Sequence, residues 1–272
     1  MEQIVTMPSM KRRKLLFAAL GLPAFSFAAR AGTGPSYSAR LIGGETEGRK
    51  WRAGFDLTLD DGWKTYWRVP GDAGVPPQFD WSRSRNVRTV TVLWPAPSRI
   101  TDEGGETIGY TERVVFPVDV VAKDPGRPID LALDAFLGVC EKICIPVKLE
   151  MSLVQSKPVP ADASLIAAFA ARVPQKISAQ SPFHVARAAL TRSDGNFDLA
   201  LRLAGQGFDK DLDIFVEGSD FVYFRKPQPA GEKGLVLLRI DGLKDAQELK
   251  GRRLSLTMTA GDIRLEQAVV VD

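Results

Sequence analysis

The chain has 272 residues, 44% of them hydrophobic, with 36 Lys and Arg, 33 Asp and Glu, two cysteines and one histidine. That length can bury one large core or two smaller ones, and two cysteines are too few for a disulfide-stapled miniprotein. A single histidine, His184, argues against a serine-histidine hydrolase and against a closed four-ligand zinc site.

The N-terminus reads as an export signal. Lys11-Arg12-Arg13-Lys14 precedes the apolar run Leu15–Ala29, with small residues near Ala29 and Ala31 suited to signal peptidase. The run is interrupted by Pro23 and is shorter than the roughly 20 residues of a membrane span. Arg12-Arg13 also admits twin-arginine export, with the ordinary secretory route the main expectation. Removing residues 1–31 takes away Lys11, Arg12, Arg13, Lys14 and Arg30 but only one acid, Glu2, leaving 31 basic and 32 acidic residues. The remaining chain is thus nearly neutral, and nucleic-acid binding loses its electrostatic motive.

From Tyr37 onward the pattern is β. Residues 53–59 alternate apolar and polar, and Asp60-Asp61-Gly62 signals a turn. Residues 63–69 alternate again, placing Trp63, Thr65 and Trp67 on one face and Lys64, Tyr66 and Arg68 on the other. The Pro- and Gly-rich loop 70–77, including Asp72, follows; it is either a lid or partner surface, or an ordinary connection. Strands are expected over 87–94, 113–121, 129–139 and 147–154, with Gly104-Gly105-Glu106 and Asp124-Pro125-Gly126 as turns. Pro117 would place its strand at a sheet edge or a bulge. Gly43-Gly44 and Gly104-Gly105 read as turn glycines, without a phosphate-binding pattern.

Composition shifts at Ser156–Pro160, and residues 164–172 form the one clear helix, capped by Asp162 or Ser164 and ended by Pro174. Short strands resume from Phe183, with Asp194-Gly195 as a hairpin signal. The expected architecture is all-β: a signal peptide over 1–31, an immunoglobulin-like sandwich over 34–155, a helical connector over 156–178 and a second, smaller β domain over 179–272.

The feature with chemistry is Cys140-Glu141-Lys142-Ile143-Cys144. If the flanking strands pair antiparallel, the cysteines face each other across a three-residue connection, within disulfide reach. Closing a loop of about five residues removes only about 2 kcal/mol of chain entropy, against nearly 5 for about 100 residues. A staple for stability would better join distant strands, and strained, exposed bridges are the reducible ones. A redox-active dithiol is therefore the leading expectation. A passive local staple and a Cu(I)-binding thiolate pair are the alternatives. Trp63, Tyr66, Trp67 and Tyr110 could shield the pair, with sandwich core the plainer role for Trp63 and Trp67. Lys142 could lower a neighbouring thiol pKa while Glu141 opposes it.

Three stretches together resemble the periplasmic N-terminal region of DsbD/ScsB-type thiol:disulfide interchange proteins. They are Gly62-Trp63-Lys64-Thr65-Tyr66-Trp67-Arg68-Val69-Pro70-Gly71-Asp72-Ala73-Gly74-Val75-Pro76-Pro77, then Trp94-Pro95-Ala96-Pro97 with Gly109-Tyr110, and Val139-Cys140-Glu141-Lys142-Ile143-Cys144-Ile145-Pro146. The similarity is good over about 36–155 and fainter beyond. It implies an immunoglobulin-like sandwich in the periplasm with Cys140 and Cys144 as the exchanging pair. It also implies a membrane-embedded electron donor and periplasmic disulfide-containing proteins as recipients; no cofactor or metal is expected. The three-residue spacing suits the ScsB-like branch. Relatives usually continue into membrane and thioredoxin domains; this chain ends at Asp272, so a separate donor is expected. The other function class is a non-enzymatic periplasmic binding module whose cysteines are a staple or Cu(I) ligands.

Overall fold

The computed structural model describes residues 37–71, 74–102, 105–205, 211–218 and 222–272. The expected signal peptide and Asp72 lie outside the described residues.

Ten strands build the first sandwich: β1 (Tyr37–Glu47), β2 (Lys50–Leu59), β3 (Lys64–Gly71), β4 (Gln78–Asp80), β5 (Val87–Val92), β6 (Ser98–Asp102), β7 (Gly105–Thr111), β8 (Arg113–Ala122), β9 (Asp130–Cys140) and β10 (Cys144–Val154). One sheet has the order β1-β2-β8-β5, the other β10-β9-β3-β7-β6, with β4 pairing β9 beyond the point where β3 leaves it. Alternation drives this arrangement. Inward residues such as Phe55, Leu57, Phe116, Leu133, Leu137 and Val139 are almost fully buried and form the core.

Pro117 departs from its expected edge position, since β8 lies between β2 and β5. Its carbonyl accepts from the Leu93 amide at 2.8 Å, one residue past the end of β5. The side of Pro117 that lacks an N–H therefore faces Leu93, where the β5 ladder stops, and only the reciprocal bond of that last pair is forgone. Gly43 and Gly44 lie within β1 at a register shift, not in a turn. A side chain at Gly44 would crowd Ile166, which docks the helix there.

The helix α1 (Pro160–Ala170) starts four residues earlier than the periodicity suggests. Pro160 occupies its first turn after Val159, and no side chain caps it; Asp162 lies in the first turn and pairs with Arg40 at 3.0 Å. Ile166 and Phe169 join the core of the first sandwich.

The remaining strands are β11 (Gln175–Lys176), β12 (His184–Ser193), β13 (Asn196–Ala204), β14 (Asp213–Glu217), β15 (Tyr223–Phe224), β16 (Gln228–Pro229), β17 (Leu235–Asp241), β18 (Arg253–Ala260) and β19 (Ile263–Val270). They form sheets of order β11-β19-β18-β14 and β12-β13-β17-β15, with β16 on β17, around their own apolar cluster. Asp194 and Gly195 connect β12 to β13 with positive φ at both, the geometry of a two-residue hairpin turn. Phe215 and Tyr223 of this second sandwich belong to the core cluster of the first, so the two halves share packed surface. Among the described residues no helix is long and apolar enough to cross a membrane.

Candidate functional site

Strands β9 and β10 pair in register from Cys140↔Cys144 to Asp130↔Val154, so the cysteines are the last opposed pair before the connection Glu141–Ile143. Their Cα atoms are 4.1 Å apart and they form a disulfide. The two sulfurs have unequal surroundings. Cys140 is 1% exposed, on the strand between β10 and β3, whereas Cys144 begins an edge strand and is exposed. Ile143 beside it is 72% exposed, which costs apolar burial without any return within the chain.

Tyr66 reaches both sulfurs. Its hydroxyl lies 2.7 Å from Cys144 Sγ and 3.2 Å from Cys140 Sγ. A disulfide carries no hydrogen, so the hydroxyl is the donor. The ring is held from two sides. A side chain at Gly138 would stand 2.9 Å from one edge, and one at Gly74 would stand 2.7 Å from the other. The loop after β3 therefore folds back on Tyr66, and glycine is required at both places by close approach. Burial, reinforced by the negative charge of Asp102, raises the Tyr66 pKa above its ordinary value. The hydroxyl stays protonated, and able to donate, through the physiological range.

Lys64 supplies a positive charge on the same face of β3. It is the register partner of Cys140, is 6% exposed, and its Nζ donates to the Asp102 carboxylate at the end of β6. Thr65, between Lys64 and Tyr66, anchors β3 to β9 by donating to the Gly138 carbonyl at 2.9 Å. The site thus comprises a disulfide, a hydroxyl on its sulfurs and a Lys–Asp pair at the same strand end.

The other aromatic candidates lie elsewhere. Trp67 is 1% exposed and packs edge-on against Phe215 at 5.9 Å. Tyr110 donates to the Pro95 carbonyl at 2.8 Å and packs against Phe116, while Trp63 is partly buried against the core. Tyr66 is the one among them that hydrogen-bonds to the sulfurs in the described structure. Sequence reasoning missed Asp102, Gly138 and Gly74. Lys64 shared the predicted face with Tyr66, which was the available signal for it. His184 opens β12 of the second sandwich and has Nδ1 2.8 Å from the Ser181 carbonyl oxygen. No group of three or more His, Cys, Asp or Glu placed to hold a metal occurs among the described residues.

Residues 42–156 match the family model of the thiol:disulfide interchange protein DsbD, N-terminal region. The resemblance read from the sequence is thus supported over the segment that contains the disulfide, Tyr66, Lys64 and Asp102. Among solved structures, the N-terminal periplasmic domain of ScsB from Proteus mirabilis is similar in fold. It has a TM-score of 0.67 and 22% identity, and the match covers 86% of this chain and 93% of that one. Comparison with curated protein sequences gives no match.

Proposed function

We propose that this chain is a periplasmic thiol–disulfide exchange protein, relaying electrons from a membrane-embedded donor to periplasmic disulfide-containing proteins. The observation that carries the reading is the asymmetric disulfide: one cysteine exposed, one buried, and a tyrosine hydroxyl on both sulfurs. The DsbD-type family match over residues 42–156 supports the reaction class.

A donor thiolate attacks the exposed Cys144 Sγ. The Cys140–Cys144 bond breaks, a donor–Cys144 mixed disulfide forms, and Cys140 leaves with the electron pair as a thiolate. The second donor thiolate then displaces Cys144, so the donor becomes a disulfide and the chain, taking up two protons, becomes a dithiol. Delivery runs the same steps on a recipient disulfide, with Cys144 attacking and Cys140 resolving. A thiolate at buried Cys140 would lack water, and the Tyr66 hydroxyl at 3.2 Å is the group positioned to stabilise it, while Lys64, the register partner of Cys140, brings a positive charge paired with Asp102 to the same strand end.

The reading is tested in cells by trapping thiols with an alkylating reagent and resolving the oxidised and reduced forms on a gel. The pair should be largely reduced where the membrane donor is present and oxidised where it is deleted. A pair that stays oxidised in both backgrounds rejects the relay.

A further inference from the structure

We propose that the second sandwich is a positioning frame for the disulfide, acting through two arginine clamps that fix Tyr66 and Asp102. The inference rests on the exchange reading and assigns a role to the half of the chain that holds no cysteine.

The clamps lie on the strands that carry the groups at the sulfurs. Arg68 is two residues beyond Tyr66 on β3. Its Nε and Nη2 donate to the two Glu217 oxygens at 2.7 and 2.6 Å, Nη2 also donates to Glu266 at 2.9 Å, and the guanidinium covers the Trp67 ring at 4.6 Å. Glu217 and Glu266 are on β14 and β19 of the second sandwich. Arg99 is three residues before Asp102 on β6 and is 6% exposed at its side chain. Its Nε donates to both Asp213 oxygens at 3.0 Å, its Nη2 to the Ile214 carbonyl at 3.1 Å, and its Nη1 to Glu106 at 2.8 Å, the Tyr223 hydroxyl at 2.7 Å and the Phe224 carbonyl at 3.3 Å. The Tyr223 hydroxyl in turn donates to Glu106 on β7. All partners of Arg99 except Glu106 come from β14 and β15.

A buried guanidinium tolerates few geometries, because any N–H pulled from its acceptor is left without water. The hairpin β6–β7, and with it Asp102, is therefore held where β14 and β15 place it. The strand carrying Tyr66 is held likewise by Glu217 and Glu266. Cys144 is already open to an incoming thiol, so the frame does not gate access. It keeps the Tyr66 hydroxyl on the sulfurs, where it favours departure of the Cys140 thiolate. Plain adhesion between two sandwiches would instead affect stability and leave the sulfur chemistry unchanged.

The test is the rate at which dithiothreitol reduces the oxidised, full-length protein. Asp213→Ala and, separately, Glu217→Ala should slow reduction roughly two- to thirtyfold, the range of coupling between packed networks. Asp213→Asn keeps an oxygen acceptor for Arg99 Nε and should restore most of the rate. Val236→Ala truncates the second core on β17, a strand that supplies no partner to either arginine, and should leave the rate unchanged whatever it does to the melting temperature. In a Tyr66→Phe background the clamp variants should have no further effect. Wild-type rates in both alanine variants, or full slowing that persists in the Tyr66→Phe background, overturn the frame. If Asp213→Ala does not fold, Glu217→Ala decides the matter, since Arg68 keeps Glu266 and is partly solvated. Failure of the exchange reading would show separately, in the wild-type reduction potential, and would not alter these rate ratios.

Discussion

Cys140→Ser should accumulate mixed disulfides with partner proteins, whereas Cys144→Ser should accumulate few or none. The difference follows from which sulfur remains. In Cys140→Ser the surviving thiol is the exposed Cys144, next to exposed Ile143, and the resolving group is gone. In Cys144→Ser the survivor is 1% exposed, between two paired strands and under the Tyr66 hydroxyl. Exchange rate depends on access and on which sulfur is attacked, so the buried thiol should react slowly despite identical intrinsic chemistry. Non-reducing gels of each variant, with the linked partner identified by mass spectrometry, read the outcome directly. Equal trapping by both variants, or trapping by Cys144→Ser alone, would reverse the assigned roles.

Tyr66→Phe should slow reduction of the disulfide by about tenfold or more, because a hydrogen bond to a charged group contributes about 1.5–3 kcal/mol. Phenylalanine keeps the ring that Gly138 and Gly74 enclose, so the substitution removes the hydroxyl with little change in packing. The raised Tyr66 pKa means that the hydroxyl remains a donor as the attacking thiol is ionised toward mildly alkaline pH. The ratio of wild-type to variant rates should therefore hold across that range. Stopped-flow measurement with dithiothreitol at several pH values checks both statements, and an unchanged rate would remove Tyr66 from the mechanism.

Much of the sandwich was legible because apolar and polar residues alternate along its strands, as in residues 53–59 and 63–69, although in the fold Lys64, Thr65, Tyr66 and Trp67 are all buried. The cysteine hairpin was legible for a similar reason: two β runs separated by three residues leave little freedom for the pair at their ends. Other features depend on tertiary placement. The role of Pro117 turns on where a neighbouring strand stops, and that depends on residues some 25 positions away. The start of α1 was missed because Pro160 can open a helix without a polar cap. Asp102 carried no local signal, as its meaning comes from Lys64 on a strand 38 residues earlier. Arg68 was placed only on a strand face and Arg99 carried no local signal; contact with Glu217, Glu266 and Asp213 is what distinguishes them. Tyr66, Trp67 and Tyr110 formed one aromatic set in the sequence. The fold separates them: the first meets the sulfurs, and the others fill the core.

The most direct test of the account is the reduction potential of Cys140–Cys144, obtained by equilibrating the protein with glutathione or dithiothreitol buffers and counting thiols. An exchanging pair should have a potential within the span of known exchange proteins, about −120 to −270 mV. A value well below about −300 mV, where inert structural bridges lie, would make the disulfide a staple and contradict the relay.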